Sequence, residues 1–146
     1  MRDSLSNVQI KTGYGPYYYQ GSGVWVTQSI DLQGYESLYF VIGIGALLDA
    51  DATFVTLMQE SDDDTTYTDV ADADMVSQTP GTAPETAASF QFDDDGEVRS
   101  IGYLGIKRYV KLYITPVRVC SGRPIGGHRK SPVVVGPWIG SVGAHG

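Results

Sequence analysis

The two histidines of this 146-residue chain, His128 and His145, both lie in a glycine-rich tail, and neither stands beside a carboxylate. Acid–base or nucleophilic chemistry centred on histidine therefore has little to build on. Cys120 paired with His128 is the one thiol option. Cys120 ends a stretch of mixed apolar and basic residues, however, where a cysteine reads as a small buried hydrophobe. The Gly13-Tyr14-Gly15 and Gly43-Ile44-Gly45 pairs lack the third glycine and following helix of a dinucleotide site, and no Gly-Lys-Ser/Thr sequence occurs.

Carboxylates are the remaining chemical candidates. Asp62-Asp63-Asp64, Asp93-Asp94-Asp95 and the alternating Asp49/Asp51 and Asp72/Asp74 could offer hard oxygen ligands to calcium. None has the spacing to a terminal bidentate glutamate that would make such a site specific. A glycosidase pair would need a buried acid with a raised pKa, and these residues occupy the most polar parts of the chain. They read as solvated turn tips. No catalytic residue, metal site or cofactor is expected, and the chain reads as non-enzymatic.

Ten tyrosines and two tryptophans offer a different kind of chemistry, stacking and polar-tipped apolar contact. Tyr39, Tyr103, Tyr109 and Tyr113 fall in alternating stretches, where core or interface packing is expected. The cluster Tyr17-Tyr18-Tyr19 and Trp25 could equally line a sugar-binding face or a protein interface.

The elements that must position these residues are strands. No stretch repeats apolar residues at helical spacing for three turns, whereas period-two alternation recurs. Candidate strands cover residues 8–11, 24–30, 37–44, 53–60, 66–70, 88–92, 98–104, 108–115 and 133–138. Eight or nine short strands predict an all-β, two-layer sandwich of the jelly-roll kind. Asp62-Asp63-Asp64 between two strands predicts a hairpin, because aspartate satisfies turn backbone and tolerates the left-handed region. Asp93-Asp94-Asp95-Gly96 predicts a second. Residues 77–87, with two prolines and no anchor larger than alanine, read as an exposed loop.

Residues 1–23 and 121–146 read as N- and C-terminal arms around a sandwich of residues 24–120. The second arm holds seven glycines and three prolines around Val133-Val134-Val135 and Trp138. Two fates suit it, docking on a neighbouring subunit or packing back on its own sandwich as a last strand.

One domain of this length buries roughly 68–70% of the surface its unfolded chain exposes, so a real core needs no staples. A single cysteine excludes an internal disulfide framework. The start of the chain carries no apolar signal-like region, and the longest apolar stretch, residues 38–48, is broken by glycines. Neither secretion nor membrane insertion is expected.

Charge is divided along the chain. Residues 1–98 hold all 17 acidic side chains against Arg2 and Lys11, a charge of −15, while residues 99–146 hold eight basic side chains and no acid, a charge of +8. The basic residues are spread singly without a stacking platform, which argues against nucleic acid and for surfaces of opposite sign meeting in an assembly. Lys107, Arg108 and Lys111 are expected to form a basic patch after a strand bend at Gly102-Tyr103-Leu104-Gly105. With Tyr17, Tyr18, Tyr19, Val133, Val134, Val135 and Trp138 they make the candidate interface set.

Two stretches, 31–42 (Asp-Leu-Gln-Gly-Tyr-Glu-Ser-Leu-Tyr-Phe-Val-Ile) and 101–112 (Ile-Gly-Tyr-Leu-Gly-Ile-Lys-Arg-Tyr-Val-Lys-Leu), carry a resemblance. With Leu57-Met58-Gln59-Glu60-Ser61-Asp62-Asp63 and Tyr67-Thr68-Asp69-Val70 between them, they resemble small tailed-phage structural proteins encoded beside major capsid proteins. The resemblance spans about residues 24–116. It implies a capsid cement or decoration protein with a jelly-roll fold, made in the host bacterial cytoplasm and seated on the outer capsid surface of the virion. The implied partners are the major capsid protein and further copies of the chain, as a dimer or trimer, with neither nucleic acid nor membrane. The alternative from another class is a carbohydrate-binding or host-attachment module on a phage fibre.

Overall fold

The computed structural model describes residues 8–14, 23–46, 51–118 and 136–142. They form a sandwich of two antiparallel sheets. In chain order the strands are β1 (Val8–Thr12), β2 (Trp25–Val26), β3 (Ile30–Asp31), β4 (Leu38–Gly43), β5 (Ala52–Ser61), β6 (Thr68–Asp69) and β7 (Met75–Val76), then the one-turn helix α1 (Pro84–Ala88) and β8 (Phe90–Gln91), β9 (Val98–Tyr103), β10 (Tyr109–Arg118) and β11 (Gly136–Val142). One sheet runs β1-β11-β4-β9-β7. The other is built on β2-β10-β5-β6, with β3 beside β10 and β8 beside β5.

Alternation sets which face each strand buries. In β4, Leu38, Phe40 and Ile42 are buried while Tyr39 points out, and in β10 Val110, Leu112 and Ile114 are buried. These meet Ile101 and Tyr103 of β9 and Met58 of β5 in the core. At one end Trp25, Phe54 and Phe90 stack in a row, with ring centroids 5.2 and 4.7 Å apart.

The expected strand at 24–30 is two dyads. Between them the Thr27 hydroxyl takes the Leu112 N–H at 3.0 Å, and the Thr27 N–H donates to the Leu112 carbonyl at 2.9 Å. A side chain thus holds the ladder of β10 where the backbone leaves it.

The first aspartate turn is a hairpin, with Gln59 and Glu60 of β5 opposite Asp69 and Thr68 of β6. Asp63 accepts the Thr66 and Thr65 N–H groups at 2.8 and 3.0 Å, and Asp64 takes the left-handed region at φ 59°. Those bonds, the Thr66 N–H first, hold the Asp63 carboxyl well below its ordinary range. The second aspartate turn is not a hairpin. Gly96 has the expected positive φ of 74°, yet β8 pairs with β5 while β9 pairs with β4 and β7, so the turn crosses between sheets. A local signal fixes a reversal but not the partners of the strands it joins, and Phe90 is drawn under Phe54.

Part of the loop expected at 77–87 is structured. Helix α1 covers the stretch of β5 between its short partners β6 and β8. There the Thr56 N–H donates to the Ser89 hydroxyl at 3.0 Å, and the Met58 N–H donates to a Glu85 carboxylate oxygen at 2.7 Å. Pro84 and Ala88 are buried, small because the helix sits close. Burial raises the Glu85 carboxyl above its ordinary value. Glu85→Ala strands the Met58 donor and should cost about 1–3 kcal/mol. Glu85→Gln keeps an acceptor without the charge and should stay within about 0.5 kcal/mol of the parent. Urea midpoints of the two variants check the difference.

Both expected arms supply strands. β11 lies between β4 and β1, with Trp138 opposite Val41 and Thr12, and Gly140 opposite Tyr39 and Ile10. The described part of the C-terminal segment therefore packs back on its own sandwich, three residues later than the strand expected at 133–138.

Candidate interaction surfaces

Antiparallel register carries the faces across the first sheet. Among the described side chains the outward set comprises Val8, Ile10 and Thr12 of β1, Tyr39, Val41 and Gly43 of β4, Val98, Ser100 and Gly102 of β9, and Val76 of β7. No charged residue is among them. Tyr39, Ile10, Val76 and Val98 are exposed. A half-solvated antiparallel sheet ordinarily turns polar residues outward, so a charge-free face on a chain of net charge −7 marks a surface suited to contact.

The connection from β9 to β10 makes a second feature. Tyr103 is fully buried, and its hydroxyl donates to Glu60 Oε2 at 2.6 Å while accepting the Lys107 N–H at 2.9 Å. Burial, then the Glu60 bond, pushes the Tyr103 phenol well above its ordinary value. Gly105 lies against this ring, where a Cβ would stand 2.4 Å from the hydroxyl. The Leu104 N–H donates to the Asp74 carbonyl at 2.8 Å. Held at both ends, the loop presents Leu104 and Ile106 outward, Ile106 at 97% exposure.

The expected basic patch is divided. Arg108 turns to the β3 side of β10, where Nε and Nη2 grip the two Asp31 oxygens at 2.9 and 2.8 Å. Lys107 turns to the hairpin side and pairs with Asp62. Lys111 Nζ sits 4.1 Å from the Tyr67 ring centroid on the outer face of the second sheet. Each cation thus already has a partner in the acidic part of the chain, two of them carboxylates, and a partner protein's carboxylates would have to displace these contacts. Burial, then a bond to Asp64, pushes the Tyr67 phenol up to about 12.

The Arg108 guanidinium, with the Gln33 N–H, holds the Asp31 carboxyl down at about 2. Asp31 and Asp63 both titrate lower folded than unfolded, so their stabilisation is present above the unfolded value and lost as pH falls through the folded one. The melting temperature should therefore fall progressively as pH drops from about 4 to about 2, and thermal scans across that window check it.

Of the other interface candidates, Tyr17, Tyr18, Tyr19, Val133, Val134 and Val135 lie outside the described residues, as do Cys120, His128 and His145. Trp138 of β11 stands opposite Val41 and Thr12 in register. The sequence reading missed Ile10, Val76 and Val98 on the charge-free face, although their alternation with polar or buried neighbours signals it. Among the described residues no group of three or more histidine, cysteine, aspartate or glutamate side chains could hold a metal ion, and no helix is long and apolar enough to cross a membrane.

No protein-family model and no curated protein sequence matches the chain. Among solved structures it is similar to CBM32-1 from a family 31 glycoside hydrolase of Clostridium perfringens, with a TM-score of 0.40 and 18% sequence identity over 96% of this chain and 99% of that one.

Proposed function

We propose that this chain is a non-enzymatic structural protein of a tailed-phage particle that binds the outer surface of the capsid and cements the shell. The observation that carries the reading is the charge-free outer face of the first sheet. A protein that must seat on a pre-built shell needs one broad surface that can lose its water at little cost, and uncharged residues in a rigid sheet meet that need. The acidic hairpin stays solvated on the other sheet. Many symmetry-related copies then multiply a weak single contact into firm cementing without any catalytic group. The resemblance of residues 24–116 to small virion proteins supplies the capsid as partner.

Cosedimentation of the purified protein with expanded, undecorated heads of its own phage tests the reading. Saturable binding at a symmetry-compatible copy number is expected. Tyr39→Glu combined with Val98→Glu should weaken it by more than about tenfold with an unchanged circular dichroism spectrum, because both side chains are exposed. Lys107→Glu combined with Arg108→Glu separates the two surfaces. Loss of binding in that variant, with the sheet variant unaffected, would move the grip to the β9–β10 connection. Point variants are needed, because removing residues 121–146 would excise β11 from the middle of a sheet. Failure to bind heads, with saturable binding on a glycan array, would replace the capsid reading with the host-attachment one.

A further inference from the structure

The ends of the two sheets are unequal. Strands β2, β3, β6, β7 and β8, which flank the sheets elsewhere, are two residues each, too short to template another chain. Among the described residues β1 is the longest strand standing at the end of a sheet, five residues with β11 on one side and no described strand on the other. Its residues from Gln9 to Thr12 are exposed.

We propose that β1 pairs antiparallel with β1 of a second copy, joining two five-stranded sheets into one continuous sheet across a two-fold axis at Ile10. The sequence Val8-Gln9-Ile10-Lys11-Thr12 is self-complementary in that register. Ile10 meets Ile10 of the other copy, Val8 meets Thr12, and Gln9 meets Lys11, so no like charges stand opposite each other. The interface is isologous, and the ladder supplies main-chain bonds to the edge of β1 that has no strand beside it among the described residues.

Charge favours the same partner. Two copies carrying −7 each repel, yet the edge itself bears one lysine and no acid, so the copies can approach there with least opposition. Pairing at Ile10 also sets the Val8, Ile10 and Thr12 rows of both copies on one side. The two charge-free faces then become a single surface of doubled width. The inference deepens the proposed function by naming the contact between copies, but it stands on the strand edge and does not require the capsid.

Sedimentation velocity of the full chain at tens of micromolar tests it first. A dimer is expected, and Ile10→Lys, which sets two ammonium groups face to face, should shift it to monomer with an unchanged circular dichroism spectrum. Ile10→Cys in a Cys120→Ser background should cross-link under mild oxidation, since Cα atoms of directly opposed strand residues stand about 4.5–5.5 Å apart, within disulfide reach. Val76→Cys at the opposite edge of the sheet, in the same background, should not. A monomer at these concentrations, or a dimer that survives Ile10→Lys and cross-links at Val76 instead, overturns the proposal. Shell binding by a strict monomer would overturn this inference alone, and a β1-paired dimer that ignores heads would overturn the capsid reading alone.

Discussion

Replacing Phe54 with alanine should destabilise the protein by about 3–5 kcal/mol. Phe54 is buried in the middle of a three-ring row, between Trp25 of β2 and Phe90 of β8. Both neighbours belong to two-residue strands with few other attachments, so the ring ties a dyad on β10 and another on β5 to one sheet. Truncation leaves a cavity lined by two large rings that cannot collapse together, because their backbones are held on opposite sides of β5 and β10. Loss of the aromatic contacts adds to the lost burial. Phe54→Leu keeps most of the volume and should cost about half as much. Guanidinium unfolding followed by tryptophan fluorescence reads both, and an alanine cost below about 1 kcal/mol would contradict the packing described.

Gly105→Ala should cost about 1–3 kcal/mol for the overpacking it forces. The added methyl would stand 2.4 Å from the Tyr103 hydroxyl, and that ring cannot yield cheaply because it is fully buried and bonded to both Glu60 and the Lys107 N–H. Tyr103→Phe probes the same lock from the other side. It leaves a half-buried carboxylate and a backbone donor without their shared hydroxyl, at a cost of about 1–3 kcal/mol. In the double variant the two costs should not add, since either change alone releases the 104–108 connection from the ring. Additive costs in thermal melts would show that the glycine and the phenol act separately.

What the sequence made legible is the part governed by local alternation. Leu38-Tyr39-Phe40-Val41-Ile42 and Thr53 to Glu60 declare both their strand character and their buried faces, and enough such stretches imply two sheets. The first aspartate turn was equally legible, because Asp63 and Asp64 act on backbone within three residues of themselves. Contacts set by tertiary partners were not. Nothing near Asp93 says that β8 leaves for the other sheet, because the cause is the Phe54 ring, 36 positions before Phe90. Helix α1 hides in a stretch of proline and alanine, since its role is to approach β5 closely and satisfy two N–H groups with Ser89 and Glu85. The apolar residues of the Gly-rich tail marked a strand at 133–138 and left open whether it packs on its own sandwich, but nothing in them said that residues 136–142 would lie between β4 and β1.

Electrostatics followed the same rule. The division of charge along the chain was plain, and its natural reading was two surfaces of opposite sign. Folding brings Arg108 to Asp31 and Lys107 to Asp62 across long separations, so some of that charge is spent within the chain. Exposed pairs of this kind contribute little to stability. What remains distinctive is the surface that charge avoids, which register along β1, β11, β4, β9 and β7 defines and which no single stretch of sequence announces.

The most direct test of the capsid reading is to image heads assembled with and without this protein by electron cryo-microscopy and subtract the two maps. The account predicts added density outside the shell at symmetry-equivalent positions, fitting the sandwich with the outer face of the first sheet toward the capsid. Identical shells in the two maps, with the protein located on a fibre or missing from the particle, would contradict it.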